Sequence, residues 1–257
     1  MMLARIFAVA AALARGVNAG VSDSLMSFTA PFNFINPKSG DRTVPNFDVL
    51  GHAVVNENFI RLTPDRQSKR GGIVSTVPVA KALREFSAVV RFRIAGQGKT
   101  LFGDGLALWF TRGEGRRQWD SGAELHGVGT SFTGFGVVVD TFQNPERPHK
   151  DVSVLVNDGS RAGSVEEIAA NAPGCAAALR FHEERADFSA LNASALRVTY
   201  ARGALAIDVD EGDTGTWREC VRLAHLPGLA PPDLPDDGAA LPPGASDAAG
   251  WPVADVL

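Results

Sequence analysis

Gly103-Asp104-Gly105-Leu106-Ala107-Leu108-Trp109-Phe110 and, further along, Gly136-Val137-Val138-Val139-Asp140-Thr141-Phe142-Gln143-Asn144 are the stretches that decide the fold of this chain. Each holds an apolar run with acid or amide groups at one end. Short runs of this kind, bounded by Gly, Asp and Asn, read as strands near the centre of a sandwich. Side by side, they place Asp104, Asp140 and Asn144 on neighbouring loops. An extended segment from Asp140 turns its first, third and fifth residues to one side. Those positions offer a carboxylate, the Phe142 carbonyl and a carboxamide, and calcium takes six to eight oxygens of such kinds. Asn144 also carries an NH2 that can donate to a sugar while its oxygen holds an ion, and Asp104 can accept from two adjacent hydroxyls. Asp and Asn are equally favoured at strand ends as plain turn formers, so spacing alone leaves both readings open.

The surrounding sequence agrees with an all-β reading. Residues 24–35 alternate loosely between apolar and polar, and Pro37 to Gly40 reads as a turn. Strands are expected at 53–62, 72–77, 86–94, 106–111, 134–140, 152–156, 195–200 and 204–210, the last two as a hairpin around Ala201-Arg202-Gly203. The one helical candidate is short, at 165–171. Many short strands separated by Gly, Pro, Asn and Asp turns predict an antiparallel β-sandwich. From Leu223 onward Pro and Gly thicken, so residues 229–257 are expected to be a poorly ordered tail or a diverged end of the domain.

The chain has 257 residues, 45% of them hydrophobic, with 27 glycines and a net charge of -4. That is enough for one large β domain, and no concentrated basic face points to nucleic acid. Arg5 followed by the apolar run 6–14 and the small residues Val17-Asn18-Ala19 has the order of a signal peptide, residues 1–19. The run is too short to span a bilayer, and no later stretch approaches the roughly 20 apolar residues that would. Cys175 and Cys220 are the only cysteines. In the oxidising compartment that a leader implies, they are expected to pair. Asn192-Ala193-Ser194 is a candidate glycosylation site.

Several ordered motifs together resemble the intracellular L-type, or legume-type, lectins that carry glycoproteins between endoplasmic reticulum and Golgi. The similarity runs from Ser27 to about Val221. It includes Phe59-Ile60-Arg61-Leu62-Thr63-Pro64-Asp65, the Asp104 strand, the Asp140–Asn144 loop, Val154-Leu155-Val156-Asn157-Asp158-Gly159-Ser160, and the segment from Ala206 to Cys220. The resemblance implies a concanavalin-like jelly roll over residues 20–228 that binds high-mannose N-glycans of glycoproteins with calcium, Ca2+, as cofactor. Asp104 and Asn144 would contact sugar, and Asp140, the Phe142 carbonyl and Asn144 would hold the ion. It further implies a non-enzymatic, cargo-receptor-like role in the lumen of the endoplasmic reticulum, the intermediate compartment and the Golgi.

The chain also departs from that pattern. After the Asn-Asp-Gly-Ser turn the family presents a histidine to the sugar and an aspartate to calcium. Here the stretch from Arg161 to Asn171 has neither, leaving Glu166 or Glu167 as the nearest carboxylates. The family's C-terminal glycine loop has only a faint counterpart in residues 244–250. The alternative reading is therefore a lectin-fold interaction protein that has lost sugar binding. His149 follows Asn144 too closely for the second metal of plant lectins, whose preceding acid is Val138 here, so it is expected to be a loop residue. Asp208, Asp210, Gly212 and Glu219 superficially suggest a calcium hand. The sixth position of that pattern is Asp213 rather than glycine, and a turn is expected instead. Nor do Asp208 and Asp210 make a glycosidase acid pair, since the first expected acid is Ala206.

Overall fold

The computed structural model describes residues 3–13, 21–22, 26–77, 85–100, 102–112, 119, 124–142, 149–159, 165–201, 203–226 and 254–256. The first half of the chain contributes β1 (Leu3–Leu13), β2 (Val21–Ser22), β3 (Phe28–Thr29), β4 (Phe47–Gly51), β5 (Val54–Val55), β6 (Ile60–Arg61), β7 (Gly71–Ser75) and β8 (Glu85–Gly96). The central strands are β9 (Gly105–Thr111), β10 (Thr133–Asp140) and β11 (Val152–Asp158), followed by helix α1 (Val165–Ala170). Then come β12 (Gly174–Cys175), β13 (Arg180–His182), β14 (Ser194–Ala201), β15 (Ala204–Asp210), β16 (Arg218–Leu223) and β17 (Ala254–Val256).

These strands form two sheets. The back sheet runs β16-β15-β14-β8-β1-β6-β5, with β2 and β3 beside β1 and β13 beside β8. The front sheet runs β12-β11-β10-β9-β17-β7-β4. Pairing is antiparallel except that β13 lies parallel to β8. The expected all-β sandwich is present, with the 195–200 and 204–210 hairpin slightly lengthened and the helix at 165–171 ending at Ala170. The expected strand at 53–62 is two short ones, because the chain turns between Asn56 and Phe59 (N–H to carbonyl, 2.9 Å) and pairs β5 with β6. The segment expected to be a leader stands in the full chain as β1, registered along β8 from Leu3 opposite Ala95 to Ala12 opposite Ser87. A short run of apolar residues suits an added strand as well as a leader. The tail expected at 229–257 lies outside the described residues apart from β17.

Alternation explains why β9 and β10 are apolar almost throughout. Leu106, Leu108 and Phe110, with Phe135, Val137 and Val139, point into the main core between the sheets, against Phe92, Ile94, Leu196, Val198 and Ile207. The intervening Ala107, Trp109 and Val138 face the other way, yet they are buried too. A second cluster, with Trp119, Leu125, Val128 and Phe132 from the segment between β9 and β10, covers that face. Arg70 holds this cover, its guanidinium lying 3.8 Å over the Trp119 ring and donating to the Trp119 carbonyl. Burying a Leu or Phe contributes roughly 1.5–3 kcal/mol. The centre of the sandwich is thus covered on both faces, and the candidate site is built at its end. Cys175 and Cys220 are joined, with Cα atoms 5.4 Å apart, and tie β12 of the front sheet to β16 of the back sheet.

Candidate functional site

Register places the acids. β9 and β10 pair with Gly136 opposite Trp109, Val138 opposite Ala107 and Asp140 opposite Gly105. Asp140 therefore extends the face that carries Val138, and Asp104 stands one residue before its partner. The two strand ends are fastened to each other by the Thr141 N–H, which donates to the Asp104 carbonyl at 2.9 Å, while the Asp140 N–H donates to the Asp151 carbonyl at 2.9 Å, just ahead of β11. The Gly103–Asp104 peptide is cis. Gly103 and Gly105 both take positive φ, 151° and 156°. A Cβ on Gly105 would overlap the Val139 carbonyl, and one on Gly103 would sit 2.7 Å from Cβ of Phe142. Glycine at these two positions is what lets the Asp104 loop lie against the Asp140–Phe142 loop.

The Asp140 loop is shaped by its own acid. Asp140 Oδ1 accepts the Phe142 N–H at 2.8 Å, a side-chain turn of the kind aspartate favours. Burial pushes the Asp140 carboxyl above its ordinary value. The Phe142 N–H, His126 and His149 pull it back, and Asp104 raises it further. A half-buried carboxylate beside a second acid is an unfavourable arrangement without a cation. That observation, with oxygen donors at hand, fits a hard divalent ion such as calcium. Among the described residues no group of three His, Cys, Asp or Glu side chains is gathered for a metal. The expected set, one carboxylate with a carbonyl and a carboxamide, does not require one. The Phe142 ring is exposed beside Gly103. Asn144 and residues 160–164 lie outside the described residues, as does the side chain of Glu166; Glu167 is exposed.

The other sequence candidates fall as follows. His149 is a loop residue whose Nε2 pairs with Asp151 Oδ1 at 3.0 Å, while Asp151 Oδ2 accepts the Ala177 N–H at 2.8 Å. Val138 is buried in the second cluster, with no acid in its place. Asp208 pairs with Arg197 at 2.9 Å. Buried Asp210 accepts the N–H groups of Thr214 at 2.9 Å and Gly215 at 2.7 Å, making the expected turn. Asn192 lies just before β14, with its Oδ1 taking the Ser189 N–H. Sequence reasoning missed His126. It sits in the cover segment, half-buried, and feels the charges of both Asp140 and Asp104. Burial pulls its imidazole below the ordinary value, and the two carboxylates pull it back up. The signal available was the His126-Gly127 pair between two apolar residues, a tight-turn pattern.

The chain is thus a two-sheet concanavalin-like sandwich with a glycine-built acidic cradle at one end of its front sheet. The legume-like lectin family model matches residues 22–228, and the chain belongs to that family. The VIP36-like protein of Mus musculus is 34% identical over 197 residues, 72% of this chain and 50% of that protein. The vesicular integral-membrane protein VIP36 of Canis lupus familiaris is 31% identical over 197 residues, 73% of this chain and 50% of that protein. The crystal structure of the VIP36 exoplasmic/lumenal domain in its Ca2+/Man2-bound form matches with a TM-score of 0.61 at 26% identity, covering 88% of this chain and 78% of that one. The chain thus spans about half the length of the curated relatives it matches. Among the described residues no helix is long and apolar enough to cross a membrane.

Proposed function

We propose that this protein is a calcium-dependent lectin for high-mannose N-glycans of glycoproteins, with a cargo-receptor-like role between endoplasmic reticulum and Golgi. The observation that carries the reading is the fastening of Asp104 to the Asp140–Phe142 loop, through the Thr141 N–H and two glycines that accept no side chain. The Ca2+/Man2-bound VIP36 domain supports it as a structural relative.

In this reading Asp140, the Phe142 carbonyl and Asn144 hold the ion. When bound, calcium neutralises the Asp140 carboxylate and fixes the loop. Asp104 accepts hydrogen bonds from two neighbouring sugar hydroxyls, and Asn144 donates a third. Bonds of this kind each contribute about 0.5–1.5 kcal/mol, so a single mannose is held weakly and affinity comes from several arms. Residues 1–19 act as a leader that delivers the chain to the lumen, and Asn192 accepts a glycan there.

Titration of the purified protein with a high-mannose oligosaccharide, with calcium and with chelator, tests this. Binding only with calcium is expected, and no heat at millimolar ligand would overturn it. The second reading, a lectin fold that serves as an interaction protein without sugar, is favoured by the absence of histidine from residues 160–171.

A further inference from the structure

Residues 160–171 hold no histidine, whereas the segment between β9 and β10 carries one, His126. Leu125 and Val128 form a two-residue hairpin, with the Leu125 N–H to the Val128 carbonyl at 2.9 Å and the reverse bond at 3.2 Å. The two central residues, His126 and Gly127, take φ of 46° and 101°, as a tight hairpin turn requires. Leu125 and Val128 are buried in the cluster over the outer face of β9 and β10, where Trp109 and Val138 lie. By the period of the strand Asp140 lies on the face of Val138, so the turn is seated on the face that leads to the acids. His126 is half-buried and makes no hydrogen bond to any described residue. A positive φ costs histidine about 1 kcal/mol or more relative to glycine, which a solvated turn has no need to bear.

We infer that His126 is a sugar-contacting residue of this site, entering from the cover segment between β9 and β10 and hydrogen-bonding a mannose hydroxyl held by Asp104. The inference rests on the reading of that site as a mannose site. Calcium prefers oxygen, so the imidazole serves the sugar and leaves the ion to the oxygen donors. A neutral ring has one donor and one acceptor nitrogen, matching a hydroxyl that both gives and takes.

His126→Gly keeps the left-handed turn and removes the ring; His126→Asn keeps the turn with a shorter polar group. The full chain, with Asp104→Asn alongside, is titrated with calcium alone and then with a mannose disaccharide in saturating calcium. Expected are calcium affinity within about twofold of the parent for His126→Gly, mannose affinity lower by about tenfold, the size of one lost hydrogen bond, and partial recovery in His126→Asn. In the parent, the His126 ring resonances, assigned by their loss in His126→Gly, are expected to shift on adding the disaccharide. Should His126→Gly bind mannose as the parent does, or the ring not shift, the inference falls while a loss in Asp104→Asn keeps the site reading. A fall in calcium affinity beyond twofold would make His126 a support of the ion loop and overturn the sugar role. A parent that binds calcium and no mannose would overturn the site reading and the inference with it.

Discussion

Replacing Gly103 by alanine is expected to weaken calcium binding with no change in any of the groups that would hold the ion. The new Cβ would lie 2.7 Å from Phe142 Cβ and 3.2 Å from Cδ2. Carbon atoms settle no closer than about 3.5 Å, so one side has to retreat by roughly 0.8 Å. The Asp104 side cannot readily yield, because Gly105 behind it already lies against the Val139 backbone. The retreat therefore falls on Phe142, whose N–H is bonded to Asp140 and whose carbonyl is a proposed ligand. Calcium–oxygen distances span only about 2.3–2.6 Å, so a displacement of that size detaches one ligand. Loss of support around a metal site typically costs about 10–100-fold in affinity, and the positive φ adds about 1–3 kcal/mol of strain. Calorimetric titration of Gly103→Ala with calcium, with melting curves in chelator, reads the two effects separately. Calcium affinity within twofold of the parent would refute the reasoning, since the loops would then not be mechanically coupled.

Three further outcomes are expected. Because burial raises the Asp140 carboxyl above its ordinary value, the metal-free fold gains from its protonated form at low pH and loses that gain as pH rises through the raised value. Asp140→Asn is therefore expected to raise the chelator-state Tm at pH 7 and not near pH 3, and calcium affinity in the parent should fall on acidification earlier than for an ordinary aspartate; equal Tm changes at both pH values would contradict this. Removing the Cys175–Cys220 link, which closes a separation of 45 residues, should lower unfolding free energy by roughly 4 kcal/mol, read from denaturant curves of the double alanine variant. Protein recovered from a secretory host is expected to begin at Gly20, and terminal sequencing that finds Leu3–Leu13 retained would make that segment a permanent strand beside β8.

The sandwich was legible because its centre is covered on both faces. Leu106–Phe110 and Val137–Val139 could be read as buried strands, and their polar ends as one site, since strand period and apolar runs are local properties. The hairpin of β14 and β15 was legible for the same reason, and the cysteine pair because two cysteines allow a single link. The division of 53–62 was not, because that turn depends on how Asn56 and Phe59 meet. Nor was β1 legible: an apolar run after an arginine satisfies a leader and a strand equally. His126 escaped because its meaning is entirely tertiary. It stands 14 residues from Asp140 in sequence, and only the folding of Leu125 and Val128 onto Trp109 and Val138 carries it to the acids.

The most direct measurement is titration of the full chain with a high-mannose glycan, with calcium and with chelator, for the parent and Asp104→Asn. The account predicts binding by the parent in calcium only, and its loss in Asp104→Asn while calcium affinity stays within a few-fold of the parent. Glycan binding that persists in chelator, or that survives Asp104→Asn unchanged, would contradict it.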